Sequence, residues 1–268
     1  MGMRIGTIHL TVADLERSIG YYETQIGLRL HRREDGFAAL GTGGEDLLAL
    51  TELPGARPAD GYAGLFHFAL LVPERTDLAR WLTHAARERI ALTGLSDHLV
   101  SEAIYLRDPD GHGVEIYADR PRAQWEGKVG ELLVTLPLDT DDLLASLDDP
   151  RAGFDGLAPG TTMGHVHLRV SDLTETTPFY RDVIGLDVMG QLGSQASFYA
   201  SGGYHHHVGA NTWESRGAPP APEGHATLVS AELVFDDDEA FAAVADRAGG
   251  DVVKDPSGNP LRLVQRSA

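Results

Sequence analysis

The chain of 268 residues contains no cysteine. Disulfides and thiolate metal ligation are thereby excluded together, so any metal must be held by histidine and carboxylate. There is no apolar run near the ~20 residues that a membrane span needs. The first residues lack the basic-then-apolar pattern of a secretion signal, and the cytoplasm is the expected compartment. Basic residues are scarce: 22 Lys and Arg stand against 40 Asp and Glu, for a formal net charge of −18. A nucleic-acid backbone or an anionic membrane requires a basic face, so neither is an expected partner. Solubility accounts for the excess acidity.

What is present points to a globular, turn-rich α+β protein: 42% apolar residues with 31 Gly and 14 Pro. The length suffices for one large domain or two ordinary ones, each with a core. Twelve histidines in such a chain are unusual, and their placement is informative.

The chain repeats itself. Residues 6–28 read GTIHLTVADLERSIGYYETQIGL and residues 164–186 read GHVHLRVSDLTETTPFYRDVIGL, at an offset of 158. His9 and His167, Asp14 and Asp172, Tyr22 and Tyr180, and the Ile-Gly-Leu triplet coincide. Self-similarity at a fixed spacing marks one supersecondary unit used more than once. A second phrase also recurs, as DPDGHGVEIY from Asp108 and DPSGNPLRLV from Asp255.

Each copy predicts a strand, a helix and further strands. Residues 4–12 alternate as a strand, Asp14 caps a helix over 15–26, and Gly27 closes it. Shorter strands are expected at 36–40 and 46–51. A second unit starts at Gly64, with a strand over 66–72, an amphipathic helix over 74–90 and strands either side of the DPDGHG turn. The third unit repeats the opening phrase and continues with strands at 195–200 and 204–211. The fourth runs from Ala226 through a helix over 236–249 to a last strand after DPSGNP. The expected architecture is four βαβββ modules forming two cupped mixed β-sheets. Residues 1–119 make the first half, 120–162 a connecting segment with a strand over 132–138 and a helical turn, and 163–268 the second half.

These phrases resemble the vicinal oxygen chelate superfamily, which includes glyoxalase I, bleomycin- and fosfomycin-resistance proteins and type I extradiol dioxygenases. The resemblance rests on H-x-x-x-x-V-x-D-L leading to F-Y-x-x-x-x-G-L, and on D-P-D-G-x-x-x-E. It spans essentially the whole chain. GLFHFALLVPER, SDHLVSEAIYLRDPDGHGVEIYADRP and GGYHHHVGANTW further resemble four-module bacterial catechol 2,3-dioxygenases. The resemblance implies a metal held by two His and one carboxylate, from the first strands of two modules and the last strand of one, with positions open for catechol and O₂.

In the family pattern the first-strand ligand lies seven residues before the capping Asp. That position is Thr7 in the first module and His165 in the third; His67 has the same register in the second, and Ser230 in the fourth. The last-strand carboxylate is Glu115, with Arg262, which cannot ligate a cation, at the equivalent place. Pairing modules within each half yields two incomplete sites. Pairing the second with the third assembles His67, Glu115 and His165, and this is the expected metal triad. His9, with His67 and Glu115, is the reserve assignment, because His9 and His167 share a strand face with the ligand position. A Glu in a sheet interior needs a partner charge, which favours ligation by Glu115.

The resemblance further implies a catalytic His on the last strand of the third module, best matched by His206, and a Tyr ten residues before the carboxylate, Tyr105. Strand alternation puts His205 and His207 on the other face from His206, and they are discounted. His98 is a candidate hydrogen-bond donor behind the ligands, and His112 a solvated turn residue. The implied activity is extradiol ring cleavage of a small aromatic diol, with Fe(II) or Mn(II) as metal and O₂ as cosubstrate; a homo-oligomer is compatible with it. The alternatives are a glyoxalase-like metal-dependent lyase or isomerase, and a metal-free drug-sequestering resistance protein.

Overall fold

Two aspartates set the rhythm of the fold. Asp14 and Asp172 start the helices that follow the opening strands of the two repeats, and their carboxylates accept from the backbone N–H of Arg17 (3.0 Å) and Thr174 (2.7 Å). Each thereby satisfies a donor that a helix start leaves free. The computed structural model describes residues 2–132, 134–149 and 151–266.

The first module comprises β1 (Met3–Val12), α1 (Leu15–Tyr21), β2 (Arg29–Glu34), β3 (Phe37–Gly41) and β4 (Asp46–Glu52). α1 runs on through a π turn over Tyr22–Ile26 and ends at Gly27, whose φ of 93° is the left-handed geometry expected of a helix-closing glycine. The second module comprises β5 (Gly64–Leu71), α2 (Arg75–Glu88), β6 (Gly94–Asp97), β7 (Ser101–Arg107) and β8 (Gly113–Asp119). In the connecting segment the expected strand shrinks to β9 (Leu136–Pro137), beside β6, and Leu133 lies outside the described residues. The helical turn is α3 (Thr140–Ala145).

The third module contains β10 (Thr162–Arg169), α4 (Leu173–Pro178), β11 (Asp187–Leu192), β12 (Ala196–Ala200) and β13 (Val208–Asn211). The fourth has β14 (Leu228–Phe235), α5 (Asp238–Ala248), β15 (Val252–Lys254) and β16 (Pro260–Gln265). Among the described residues it therefore lacks one of the expected strands. The predicted strand over 204–211 begins only at Val208, because Gly202 and Gly203 take left-handed φ values of 63° and 69° and turn the chain there.

Strand pairing crosses the sequence halves. A seven-stranded sheet has the order β15-β16-β14-β1-β4-β3-β2, joining the first and fourth modules. A nine-stranded sheet, β11-β12-β13-β10-β5-β8-β7-β6-β9, joins the second and third. Its seam is the antiparallel β5–β10 ladder, so the second and third modules are neighbours, as the complementarity of His67, Glu115 and His165 requires. The α+β architecture of paired modules in two mixed sheets is the one expected.

Within each half the two modules are tied instead through helices and turns. Asp108 Oδ1 accepts from the N–H groups of Asp110 (2.9 Å) and His112 (2.8 Å), while Oδ2 accepts from the Tyr22 hydroxyl at 2.8 Å. The same figure recurs at Asp255, with Ser257 and Asn259 N–H at 2.9 Å and Tyr180 at 3.2 Å. The two recurring sequence phrases are therefore the two ends of one buried hydrogen bond. Trp81 adds a bond from its indole to the Ile26 carbonyl (3.0 Å). One apolar cluster runs through both sheets, including Ile8, Phe68, Trp81, Val166 and Phe235. No helix among the described residues is long and apolar enough to cross a membrane.

Candidate metal centre

Residues directly opposite on neighbouring strands point to the same face, as do residues two apart on one strand. Across the nine-stranded sheet this builds two rows. One runs His165, Ala69, Glu115, Tyr105 on β10, β5, β8 and β7. The other runs Gly209, His167, His67, Gly113 on β13, β10, β5 and β8. The small residues make the room. Ala69 lets His165 and Glu115 reach each other above it. A Cβ on Gly209 would lie 2.9 Å from the His167 ring, and one on Gly113 would strike the Phe66 carbonyl and the His67 side chain.

The rows bring together the three expected ligands. His165 Nε2 lies 3.1 Å from Glu115 Oε2 and His67 Nε2 lies 3.0 Å from the same oxygen. One ligand atom from each residue falls within 4.8 Å of the others, and all three residues are buried. The His67 contact is short but poorly directed, so its Nε2 is left without an aligned hydrogen-bond partner. Donors about 2.1 Å from a first-row divalent ion, meeting near a right angle, stand about 3 Å apart. The spacing, the orphaned nitrogen and the neutral-nitrogen-plus-carboxylate donor set therefore fit such an ion.

The electrostatics agree. Burial raises the Glu115 carboxyl, but His165 and His67 outweigh it and hold the group well below the ordinary carboxylate range. Burial lowers His165 against the pull of Glu115, and lowers His167 and His206 much further, with neighbouring imidazoles adding to the effect. The site thus presents His165 as a neutral imidazole and Glu115 as an anionic carboxylate, the forms in which each binds metal.

The triad opens on a cavity of about 440 Å³. Its polar floor holds His67, Glu115, His165, Tyr105, His98 and His206, and its walls include Phe66, Val100, Val134, Leu192, Phe198 and Trp213. Burial, with Glu115 nearby, pushes the Tyr105 phenol well above its ordinary value, so it keeps its proton. His98 Nδ1 donates to the Val134 carbonyl (2.8 Å), and a neutral ring then accepts from the Tyr105 hydroxyl through Nε2 (2.8 Å). His98 fixes the direction in which Tyr105 points.

Other expectations meet different outcomes. His9 lies on β1 in the seven-stranded sheet, bonded to Thr51 Oγ1 at 2.8 Å, and cannot join His67 and Glu115. Its face matches that of His167, but its sheet does not. Thr7 and Ser230 also lie on the seven-stranded sheet, where Thr7 donates to the Asp46 carbonyl (2.8 Å). His112 is 5% exposed rather than solvated, and its Nε2 donates to the Thr11 carbonyl at 2.9 Å. His206 lies in the loop before β13, with its ring 4.1 Å from that of His165. Because that loop is not a strand, alternation does not govern it, and His205 lines the cavity as well. Asp119 holds His205 at 2.9 Å, and its place four beyond Glu115, on the same strand face, is the sequence signal that could have found it.

Known proteins share this arrangement of chain. The family model described as Glyoxalase/Bleomycin resistance protein/Dioxygenase superfamily matches residues 4–116 and 162–263. The chain is 42% identical over 249 residues to the catechol-2,3-dioxygenase of Bacillus subtilis (strain 168), covering 91% of this chain and 86% of that protein. Glyoxalase I from Zea mays superposes with a TM-score of 0.61 at 18% identity, covering 98% of this chain and 92% of the other. The cppA protein from Streptococcus pneumoniae TIGR4 does so with a TM-score of 0.56 at 14% identity, covering 98% and 99%. At such identities the structural likeness is one of fold. Sequence match, module repeat and sheet pairing lead to one conclusion: the chain belongs to the glyoxalase/bleomycin resistance protein/dioxygenase superfamily.

Proposed function

We propose that the protein is an extradiol ring-cleaving dioxygenase acting on small catechol-type diols, with Fe(II) held by His67, Glu115 and His165. The observation that carries this reading is the convergence of both Nε2 atoms on one Glu115 oxygen at the floor of an apolar-walled cavity. The 42% identity to a protein named catechol-2,3-dioxygenase supports it. His67, His165 and Glu115 would hold the ion, and their mixed N/O set would suit Mn(II) as well as Fe(II). Such an ion would supply the means of passing electrons from the diol to O₂.

The chain's own residues do the remainder. His206 faces the cavity as a neutral base and accepts a diol proton, later returning it to the departing oxygen. Tyr105, its hydroxyl donated to His98, offers its oxygen to a substrate O–H. Phe66, Phe198 and Trp213 exclude water and flank the ring. Both atoms of O₂ end in the product, a ring-opened semialdehyde acid. Such an enzyme belongs to cytoplasmic aromatic catabolism.

Anaerobic Fe(II) loading, followed by O₂-uptake measurement with catechol and with 3- and 4-substituted catechols, tests this. One O₂ consumed per diol is expected, with His206→Ala retaining iron and losing about 10²–10⁴-fold in turnover. Stoichiometric iron without O₂ uptake would overturn the reading in favour of a metal-dependent lyase or isomerase. Failure to bind any divalent metal would favour sequestration.

A further inference from the structure

β8 presents Glu115, Tyr117 and Asp119 at alternate positions on one face. Glu115 ends in the metal cluster. Asp119, at the end of the strand, turns to a histidine instead, and its Oδ1 accepts from His205 Nε2 at 2.9 Å. His205 Nδ1 in turn lies 2.8 Å from His206 Nδ1. His205 is 1% exposed, with the Tyr204 ring 4.0 Å away and the Trp125 ring 5.6 Å away. His206 completes the chain against His165 and the cavity.

The direction of this chain follows from what each group can do. An ionised carboxylate only accepts, so the proton in the first bond sits on His205 Nε2. A neutral imidazole carries one N–H, which leaves His205 Nδ1 as an acceptor. The proton in the second bond therefore belongs to His206 Nδ1. His206 Nε2 keeps its lone pair and makes no hydrogen bond to another described residue.

We propose that Asp119 and His205 are positioning residues that hold His206 in its Nδ1–H tautomer, with the Nε2 lone pair open to the cavity. What that lone pair does rests on the extradiol reading above; the tautomer itself does not. Without Asp119 the His205 proton is free to sit on Nδ1 and donate to His206. The His206 proton then moves to Nε2, and the ring can no longer accept a proton from a substrate. A carboxylate that sets a histidine tautomer through a buried hydrogen bond has the logic of the hydrolase triad, with a second imidazole inserted between carboxylate and base. Tyr204 donates to the same Asp119 oxygen at 3.3 Å and steadies the carboxylate, but sets no direction.

The test is nitrogen NMR on the full-length chain, ¹⁵N-labelled at histidine and loaded with diamagnetic Zn(II). Long-range ¹H–¹⁵N correlations report which ring nitrogen carries the proton, and a His206→Gln spectrum assigns the signals. The expected wild-type result is Nδ1–H for His206 and Nε2–H for His205. Asp119→Ala should move His206 toward Nε2–H, whereas Tyr204→Phe should leave both tautomers in place. With Fe(II), Asp119→Ala should lower kcat about 10–100-fold, by analogy with residues that orient metal-site histidines, with KM for catechol and iron content little changed. An Nε2–H His206 in the wild type, or an unchanged tautomer in folded Asp119→Ala, would overturn the proposal. Should Asp119→Ala not fold, the wild-type spectrum alone decides. Loss of the extradiol reading would show as an inactive Fe(II)-loaded wild type with the tautomers as expected.

Discussion

His167 stands directly opposite His67 across the β5–β10 ladder, with the two rings 5.0 Å apart. Only one of the pair reaches Glu115. His167 lies one strand further from β8, its Nε2 has no partner, and burial among neighbouring imidazoles pushes its pKa well below the ordinary value. It is a neutral wall of the cavity, against which Phe66 and Trp213 pack at 5.3 and 5.6 Å.

The pair therefore separates ligand from wall. His167→Gln should keep a full complement of iron by elemental analysis. His67→Gln and Glu115→Gln should weaken metal binding at least ~100-fold, more than substitutions of the residues behind the ligands do. Equal iron loss in all three would mean that His167 ligates.

The Tyr–Asp bonds between modules should carry measurable stability. Tyr22→Phe removes the hydroxyl that donates to Asp108 Oδ2 at 2.8 Å and leaves a buried carboxylate oxygen short of a donor. The cost should be about 1–3 kcal/mol, read as a lower urea midpoint at unchanged slope. Tyr180→Phe should cost less, because Asp255 Oδ2 also accepts from Asn259 Nδ2 at 2.9 Å.

Stability should fall on acidification through histidines that are buried neutral. Burial, with His205 and His165 nearby, lowers His207 to about 3. The unfolded chain takes that proton near 6.5. Between about pH 6.5 and 3 the unfolded state therefore binds more protons, and each such group costs about 1.4 kcal/mol per pH unit. His167 and His206 are lowered in the same direction. Urea unfolding at pH 7, 6 and 5 should show a steep loss, and His207→Gln should reduce its slope by about one proton. An unchanged slope would place the His207 proton elsewhere.

Trp213 is 45% exposed at the cavity wall, packed on Phe66 at 5.4 Å. An apolar ring substituent on the diol can cover it. Trp213→Ala should raise KM for a 4-alkylcatechol about tenfold relative to catechol, the worth of ~50–60 Å² of apolar burial. Parallel changes for both substrates would put the Trp outside the substituent's path.

The sequence by itself determined the modules and the candidates. Period-two strands, Asp caps and glycine stops follow from local chemistry, and the repeated phrases let Thr7 be compared with His165 and Arg262 with Glu115. The mismatches singled out His67, Glu115 and His165, because Arg262 cannot ligate a cation and Thr7 supplies no imidazole. The tertiary structure alone decided which strands are neighbours. His9 and His167 are equivalent in the repeat, yet one lies opposite Ser230 and the other opposite His67. It also decided what the histidine run does. Gly202 and Gly203 turn the chain before β13, and that break frees His205 from strand alternation to meet Asp119. Side-chain direction in a strand is a local property, written in the residue order. Strand partnership and the course of a loop depend on contacts between residues far apart in the chain, and they exist only once the sheets have formed.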